Sequence, residues 1–185
     1  MAHDIALALW FFLPAGIANV TPIFVAKLPV LKQFNVPIDG GRMYRGKRLL
    51  GDHKTWRGLI AGLMLGVATM YVQSAGYAHV SWIRSLSAPV DYQQLALFPL
   101  GLMFGFGALG GDAVKSFFKR RRSIPAGETW IPFDQADLII GAILATAPIV
   151  TLPWTVYLWG LALWPAIQLL STILGYLLGL KESPL

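Results

Sequence analysis

The chain has 185 residues, 56% of them hydrophobic and only 13% charged, with fifteen Lys or Arg against nine Asp or Glu. Soluble domains are rarely so apolar, so the composition excludes an ordinary water-soluble globule and indicates an integral membrane protein. The absence of cysteine excludes disulfides, thiol nucleophiles and thiolate metal sites.

About 20 apolar residues cross the hydrocarbon core as a helix. Five such stretches are legible: 5–26, 58–77, 95–115, 136–152 and 154–179, the fourth being short and divided from the fifth by Pro153 alone. The expected fold is therefore an all-α integral membrane protein with about five transmembrane helices. Residues 1–185 form a single transmembrane domain, with loops at about 27–57 and 119–134. The opening "MAHD" has no basic n-region, so the first stretch reads as a retained span and not a signal peptide. Eight of the fifteen basic residues lie in 27–57 and five between Lys115 and Arg122, whereas 78–94 holds only Arg84. The positive-inside rule then places the first and third connections in the cytoplasm, the N-terminus outside and Lys181 inside. The expected location is the cell membrane, with the chemistry at its cytoplasmic face.

In the first span, Asn19 of "ANVTP" is a candidate interhelical hydrogen bonder or substrate contact. The connection that follows, "PIDGGRMYRGKRLLGDHKTWRGL", combines Asp39 and Asp52 with Arg42, Arg45, Lys47, Arg48, Lys54 and Arg57. Its glycines leave backbone amides free to approach phosphate oxygens. It is not a P-loop, because "GKRLLGDHKT" lacks a glycine directly before the lysine and no buried strand precedes it. A basic rim that binds anionic lipid headgroups is the alternative, although two aspartates would weaken it. His53 is a lone histidine and is not expected to ligate a metal.

Glycines recur at four-residue spacing in the second span (Gly58, Gly62, Gly66) and the third (Gly101 with Gly105, Gly107 with Gly111), so these helices are expected to pack closely in the interior. At the end of the third span Asp112 lies one turn from Lys115 and Ser116 and two turns from Lys119, on one stripe. An ion pair that merely ends the helix would explain Asp112. Asp134 and Asp137 share one face of the fourth span's first turn, where acids also serve as caps. Capping accounts for one of them but not for both together with Asp112. If the third and fourth spans are antiparallel neighbours, three carboxylates converge at one membrane face. Hard oxygen ligands of this kind select magnesium, and "KSFFKRRR" beside them supplies phosphate-binding cations. A metal and cations beside a lipid headgroup point to phosphoryl or nucleotidyl transfer.

"PIDGGR", "RLLGDHKTWRG", "GGDAVKSFFKRR", "PFDQAD" and the closing "LGLKESPL" together resemble the CDP-archaeol synthase family, from "ANVTP" to the C-terminus. That family is related to the CDP-diacylglycerol synthases, whose signature joins Ser-x-x-Lys-Arg to Asp-x-x-Asp. Ser116, Lys119 and Arg120 fit the first part, and Asp134 and Asp137 the second. The chain departs from the diacylglycerol branch: it has no Lys-Asp pair after the basic run, no His-Gly-Gly, and Gln135 where that branch has arginine. The resemblance implies a cytidylyltransferase that joins CTP to a membrane lipid phosphate of the archaetidic type, releasing pyrophosphate with magnesium as cofactor. It implies metal binding by Asp112, Asp134 and Asp137, which with the phosphate-binding Lys115 form the catalytic set. Asp52, Lys54, Thr55, Arg57, Ser116, Lys119 and Arg120 would serve CTP and its phosphates, and Asp39 with Arg42 would shape the loop that closes over the nucleotide. No nucleic acid partner is expected, and a homodimer is compatible with the chain. Phosphatidate cytidylyltransfer is the alternative within the class. An ion-coupled transporter would place its charges near the bilayer midplane, and a non-catalytic lipid-binding protein would tolerate loss of all three aspartates. Isoprenoid ether and fatty acyl tails are both long and apolar, so the residues do not choose between them.

Overall fold

The computed structural model describes residues 1–125 and 128–177, apart from the side chains at 32 and 175; the "LGLKESPL" motif with Lys181 lies outside the described residues. The first apolar stretch is two helices, α1 (Ala2–Phe11) and α2 (Leu13–Lys27), which meet at a bend of 44°. Pro14 explains the break: it has no N–H to return to the Trp10 carbonyl, which accepts instead from Gln73 Nε2 at 2.5 Å. A 3₁₀ turn (Pro29–Phe34) and a two-stranded hairpin, β1 (Met43–Tyr44) with β2 (Lys47–Arg48), occupy the first connection. Then follow α3 (Trp56–His79), the short α4 (Ser81–Leu86), α5 (Leu97–Arg121), α6 (Phe133–Thr146) and α7 (Trp154–Leu177).

Among the described residues three helices, α3, α5 and α7, are long and apolar enough to cross a membrane, and the bent pair α1–α2 makes a fourth. The expected fourth span differs. Its helix α6 has 14 residues, about 21 Å at 1.5 Å per residue, and so falls short of the hydrocarbon thickness. Pro148 and Pro153 prevent the helix from continuing to 152 as the apolar run predicted.

Small residues set the order of packing. Ala18 of α2 faces Gly62 and Gly66 of α3, Gly66 faces Gly101 of α5, and Gly107 and Gly111 of α5 face Gly141 and Asp137 of α6. In each pair one number rises as the other falls, so α2, α3, α5 and α6 are antiparallel neighbours in turn. Gln168 and Gly160 of α7 continue the series against Asp134 and Ile139 of α6. The core joins Phe11, Phe12 and Phe104, Phe104 meeting Phe11 edge-on at 5.1 Å. The outward faces stay apolar, with Met64, Val72, Phe106, Leu144, Leu158 and Leu170 exposed, as a lipid-facing surface requires.

The α5–α6 contact admits no side chain. A Cβ at Gly107 would strike the Gly141 carbonyl, and one at Gly111 the backbone oxygen of Asp137. Gly111→Leu is expected to cost about 1–3 kcal/mol through overpacking, read as a lower unfolding temperature in detergent. It should also separate Asp112 from Asp137, and cavity-directed activity should fall with it.

Candidate active site

The antiparallel register of α5 and α6 brings the expected acids together at one end of the bundle, where α3 begins. There the carboxylates meet lysines. Lys115, one turn after Asp112, extends its ammonium across the small-residue contact to Asp112 Oδ1 at 2.9 Å, Asp134 Oδ1 at 2.9 Å and Asp137 Oδ2 at 2.8 Å. Lys54, at the start of α3, pairs with Asp112 Oδ2, and Lys119 pairs with Asp134 Oδ2 at 3.0 Å and donates to the Glu128 carbonyl. Three carboxylates and three ammonium groups thus form one neutral cluster, and Trp130 N–H donates to Asp134 Oδ2 at 2.5 Å.

The lysines stand between the acids and a cavity of about 490 Å³. Its walls carry Lys47, Arg48 and Lys54 from the first connection and Lys115, Lys119 and Arg120 from α5, with Ser116, Asp52 and His53. Ser116 Oγ donates back to the Asp112 carbonyl at 2.8 Å, and Arg120 to the Pro125 carbonyl at 3.1 Å. Six cations therefore face one space while the paired carboxylates lie behind them. Such a cavity takes a polyanion.

The first connection is shaped around Asp39, whose side chain is 1% exposed. Oδ1 accepts from Gly41 N–H at 3.0 Å and Arg48 at 2.8 Å, and Oδ2 accepts from the amides of Leu50 at 3.0 Å and Gly51 at 3.2 Å. Arg45 (φ 51) and Gly46 (φ 73) make the tight hairpin turn. Arg48 also holds the exposed Asp52 at 2.6 Å. Burial alone would push the Asp39 carboxyl up, but the Leu50 amide, the Arg48 guanidinium and the two glycine amides outweigh it and hold it well below the usual carboxylate range. A folded value below the unfolded one gives stability that is complete above the unfolded pKa, near ~3.9, and lost as pH falls through the folded one. Protection of the Leu50 and Gly51 amides, corrected for their intrinsic exchange rates, is therefore expected to hold down to about pH 4 and to fall only below it. In Asp39→Asn these amides should exchange faster throughout.

Not every expected residue reaches the cavity. Thr55 caps α3, its hydroxyl accepting from Gly58 N–H at 3.3 Å, and Arg57 turns away to the Leu31 carbonyl at 2.7 Å in an apolar groove. The i,i+3 step from Lys54 to Arg57 keeps them on adjacent faces, yet Thr55 starts the helix and the turn from Lys54 is lost. Asn19 is half-buried on α2, without a hydrogen-bond partner among the described residues. The Arg42 side chain is exposed, and its backbone serves the loop by bonding Asp39 O and Leu49 N–H at 2.9 and 3.0 Å. Lys47, Arg48 and Arg121 were not singled out as site residues. For Lys47 the signal is the turn "YRGK", whose tight reversal at Arg45 and Gly46 brings β2 back toward the end of α5.

The donor set suits magnesium in one mode only. Among the described residues no three acidic or imidazole side chains stand as a cage by themselves, since Lys115 holds the point where the oxygens converge. Magnesium commonly binds through one or two carboxylates with substrate phosphates completing the shell. Asp112 and Asp134, at 17% and 15% side-chain exposure, can supply those, whereas Asp137, at 3%, is shielded behind Lys115.

The family model described as CarS-like, CDP-archaeol synthase, matches residues 1–185. A CDP-archaeol synthase of Thermococcus kodakarensis is 36% identical over 178 residues, covering 96% of this chain and 94% of the relative. Those of Pyrococcus furiosus and Halobacterium salinarum are 33% and 35% identical, covering 98% and 100% of this chain and 99% and 98% of their own length. A solved structure of an intramembrane enzyme for archaeal membrane lipid biosynthesis superposes with a TM-score of 0.67 at 31% identity, covering 90% of this chain and 92% of that one.

Proposed function

The chain belongs to the CDP-archaeol synthase family, and from that membership we propose how its cationic cavity transfers CMP from CTP to a membrane lipid phosphate, archaetidic in type. The enzyme is a CTP-dependent cytidylyltransferase of phospholipid biosynthesis. The observation that carries the mechanism is the six-cation lining backed by buried carboxylates.

The lipid phosphomonoester has a second pKa near ~6, so it is largely dianionic at neutral pH and attacks without a general base or a covalent enzyme intermediate. One of its oxygens bonds to the α-phosphorus of CTP as the bond to the bridging oxygen of the β-phosphate breaks, and pyrophosphate leaves with that electron pair. The protein has to bring two polyanions together in line and neutralise charge on the leaving group. Lys54, Lys115 and Lys119 cannot swing freely, since each is held from behind by a carboxylate. Among the described residues Lys47 and Arg120 bond only to neutral oxygens and face the cavity, so their charge is available to phosphates. Asp112 and Asp134 would hold magnesium, which would supply positive charge against the phosphates; Lys54, Lys115 and Lys119, which already neutralise the three carboxylates, keep those oxygens in place.

The basic loops, the start of α3 and the N-terminal end of α6 share one end of the bundle, and α1 begins at the other. With the uneven Lys and Arg distribution this supports four full crossings with the shorter α6 between α5 and α7, an outside N-terminus and a cytoplasmic active site in the cell membrane. The test uses purified protein with labelled CTP and magnesium, offering geranylgeranylated glycerol phosphate and phosphatidate in parallel. Label should pass to the isoprenoid lipid and stop with EDTA. Transfer to phosphatidate alone would reassign the substrate, and transfer to neither from folded protein would overturn the reading.

A further inference from the structure

We propose that Arg121 is a positioning residue that latches the 43–48 hairpin to the end of α5 and so fixes the gap between the two basic walls of the cavity. The proposal rests on the cytidylyltransferase reading for its kinetic consequence, but not for the latch itself.

Arg121 ends α5 inside a run of four cations, where it would pass for one more phosphate ligand. Three of its N–H groups point elsewhere. Nη1 donates to the Tyr44 carbonyl at 2.6 Å, and Nη2 to the carbonyls of Lys47 at 3.2 Å and Arg48 at 2.5 Å. The guanidinium carbon lies 4.9 Å from the Phe117 ring centre and 5.2 Å from that of Tyr44, so it is stacked by one aromatic from each element. Lys47 returns the contact, donating to the Arg121 carbonyl at 3.1 Å and to Ser123 Oγ at 2.5 Å, which also satisfies a carbonyl left open at the helix end. Arg121 makes no ion pair among the described residues and does not line the cavity.

The geometry has a mechanical meaning. One wall of the cavity comes from the first connection and the other from α5. A hairpin of two residue pairs is not stable alone. The Asp39 network orders the base of the loop, but among the described residues the far end, Tyr44 and Lys47, is tied to α5 only through Arg121, the Lys47 ammonium and the ring contact of Tyr44 with Phe117 at 6.3 Å. Without the latch, Lys47 would keep its charge but lose its distance from Lys119 and Arg120, while Arg48 stays held by Asp39. Lysine cannot replace the fork, because a point ammonium does not span three carbonyls or offer a planar face to two rings.

Arg121→Lys separates latch from charge. Hydrogen exchange at the Leu49 amide, which bonds the Arg42 carbonyl within the hairpin, is expected to rise on the order of tenfold in the nucleotide-free variant. In the label-transfer assay KM for CTP should rise by a similar factor while kcat stays within about threefold. Wild-type exchange and KM in Arg121→Lys would overturn the latch, as would rescue by lysine of a defect seen in Arg121→Gln, which would make charge the whole effect. Should Arg121→Lys not fold, Tyr44→Leu removes a stacking ring at an exposed position and carries the same two readouts; no change in either would equally overturn it. A wild-type protein that transferred no label would defeat the functional reading while the exchange result still judged the latch.

Discussion

Lys115→Met is expected to destabilise the protein by about 3–5 kcal/mol and to reduce cytidylyl transfer by on the order of 10²–10³. Methionine matches the length of the stem, so packing changes little and the lost charge dominates. In the wild type one ammonium sits 2.8–2.9 Å from oxygens of Asp112, Asp134 and Asp137. Its removal leaves three carboxylates against Lys54 and Lys119, with Asp137 only 3% exposed and deprived of its sole ion-pair partner among the described residues. A buried charge left unpaired costs far more than the pair contributes. Such a pocket would then want another cation. The unfolding temperature of the variant in detergent should rise with magnesium by more than that of the wild type, whose cluster is already neutral. A variant that melts and turns over like the wild type would show that Lys115 is not the hub of the site.

The route from residues to this site explains what was legible. Acids at the mouths of apolar helices are costly, so Asp112, Asp134 and Asp137 stood out from the sequence, and the glycine spacing of α5 implied the close neighbour that brings them together. What they would hold was less legible. The i,i+3 step placed Lys115 on the Asp112 stripe, but its reach across to α6 depends on Gly111 lying against the Asp137 backbone, a distance no pattern encodes. The acids therefore meet lysines first. Thr55 and Arg57 show the opposite failure: a phosphate-binding string in the sequence is divided by a helix start, which turns one into a cap and the other toward the 3₁₀ turn. The broken first span and the short α6 follow from Pro14, Pro148 and Pro153, whose effect a hydropathy window averages away.

The paired substitutions Asp134→Asn and Asp137→Asn divide the work of the acidic cluster. Asp134 Oδ1 meets Lys115 at 2.9 Å, while Oδ2 accepts from Lys119 at 3.0 Å and from Trp130 N–H at 2.5 Å. Asparagine keeps the shape but turns one of those acceptors into a donor that faces a donor. Lys119 then loses its ion-pair partner among the described residues and Lys115 one of three, and transfer is expected to fall by on the order of 10²–10³. Because Asp134 is 15% exposed where Asp137 is 3%, its loss should also raise the magnesium concentration needed for half-maximal rate. Asp137 is shielded, and it reaches the cavity only through Lys115. Its replacement should lower kcat and the unfolding temperature while leaving the magnesium requirement unchanged. A magnesium titration of the two variants reads the difference directly. Equal shifts in both would place Asp137 at the metal and require Lys115 to move aside when nucleotide binds, whereas no shift in either would confine all the carboxylates to holding lysines.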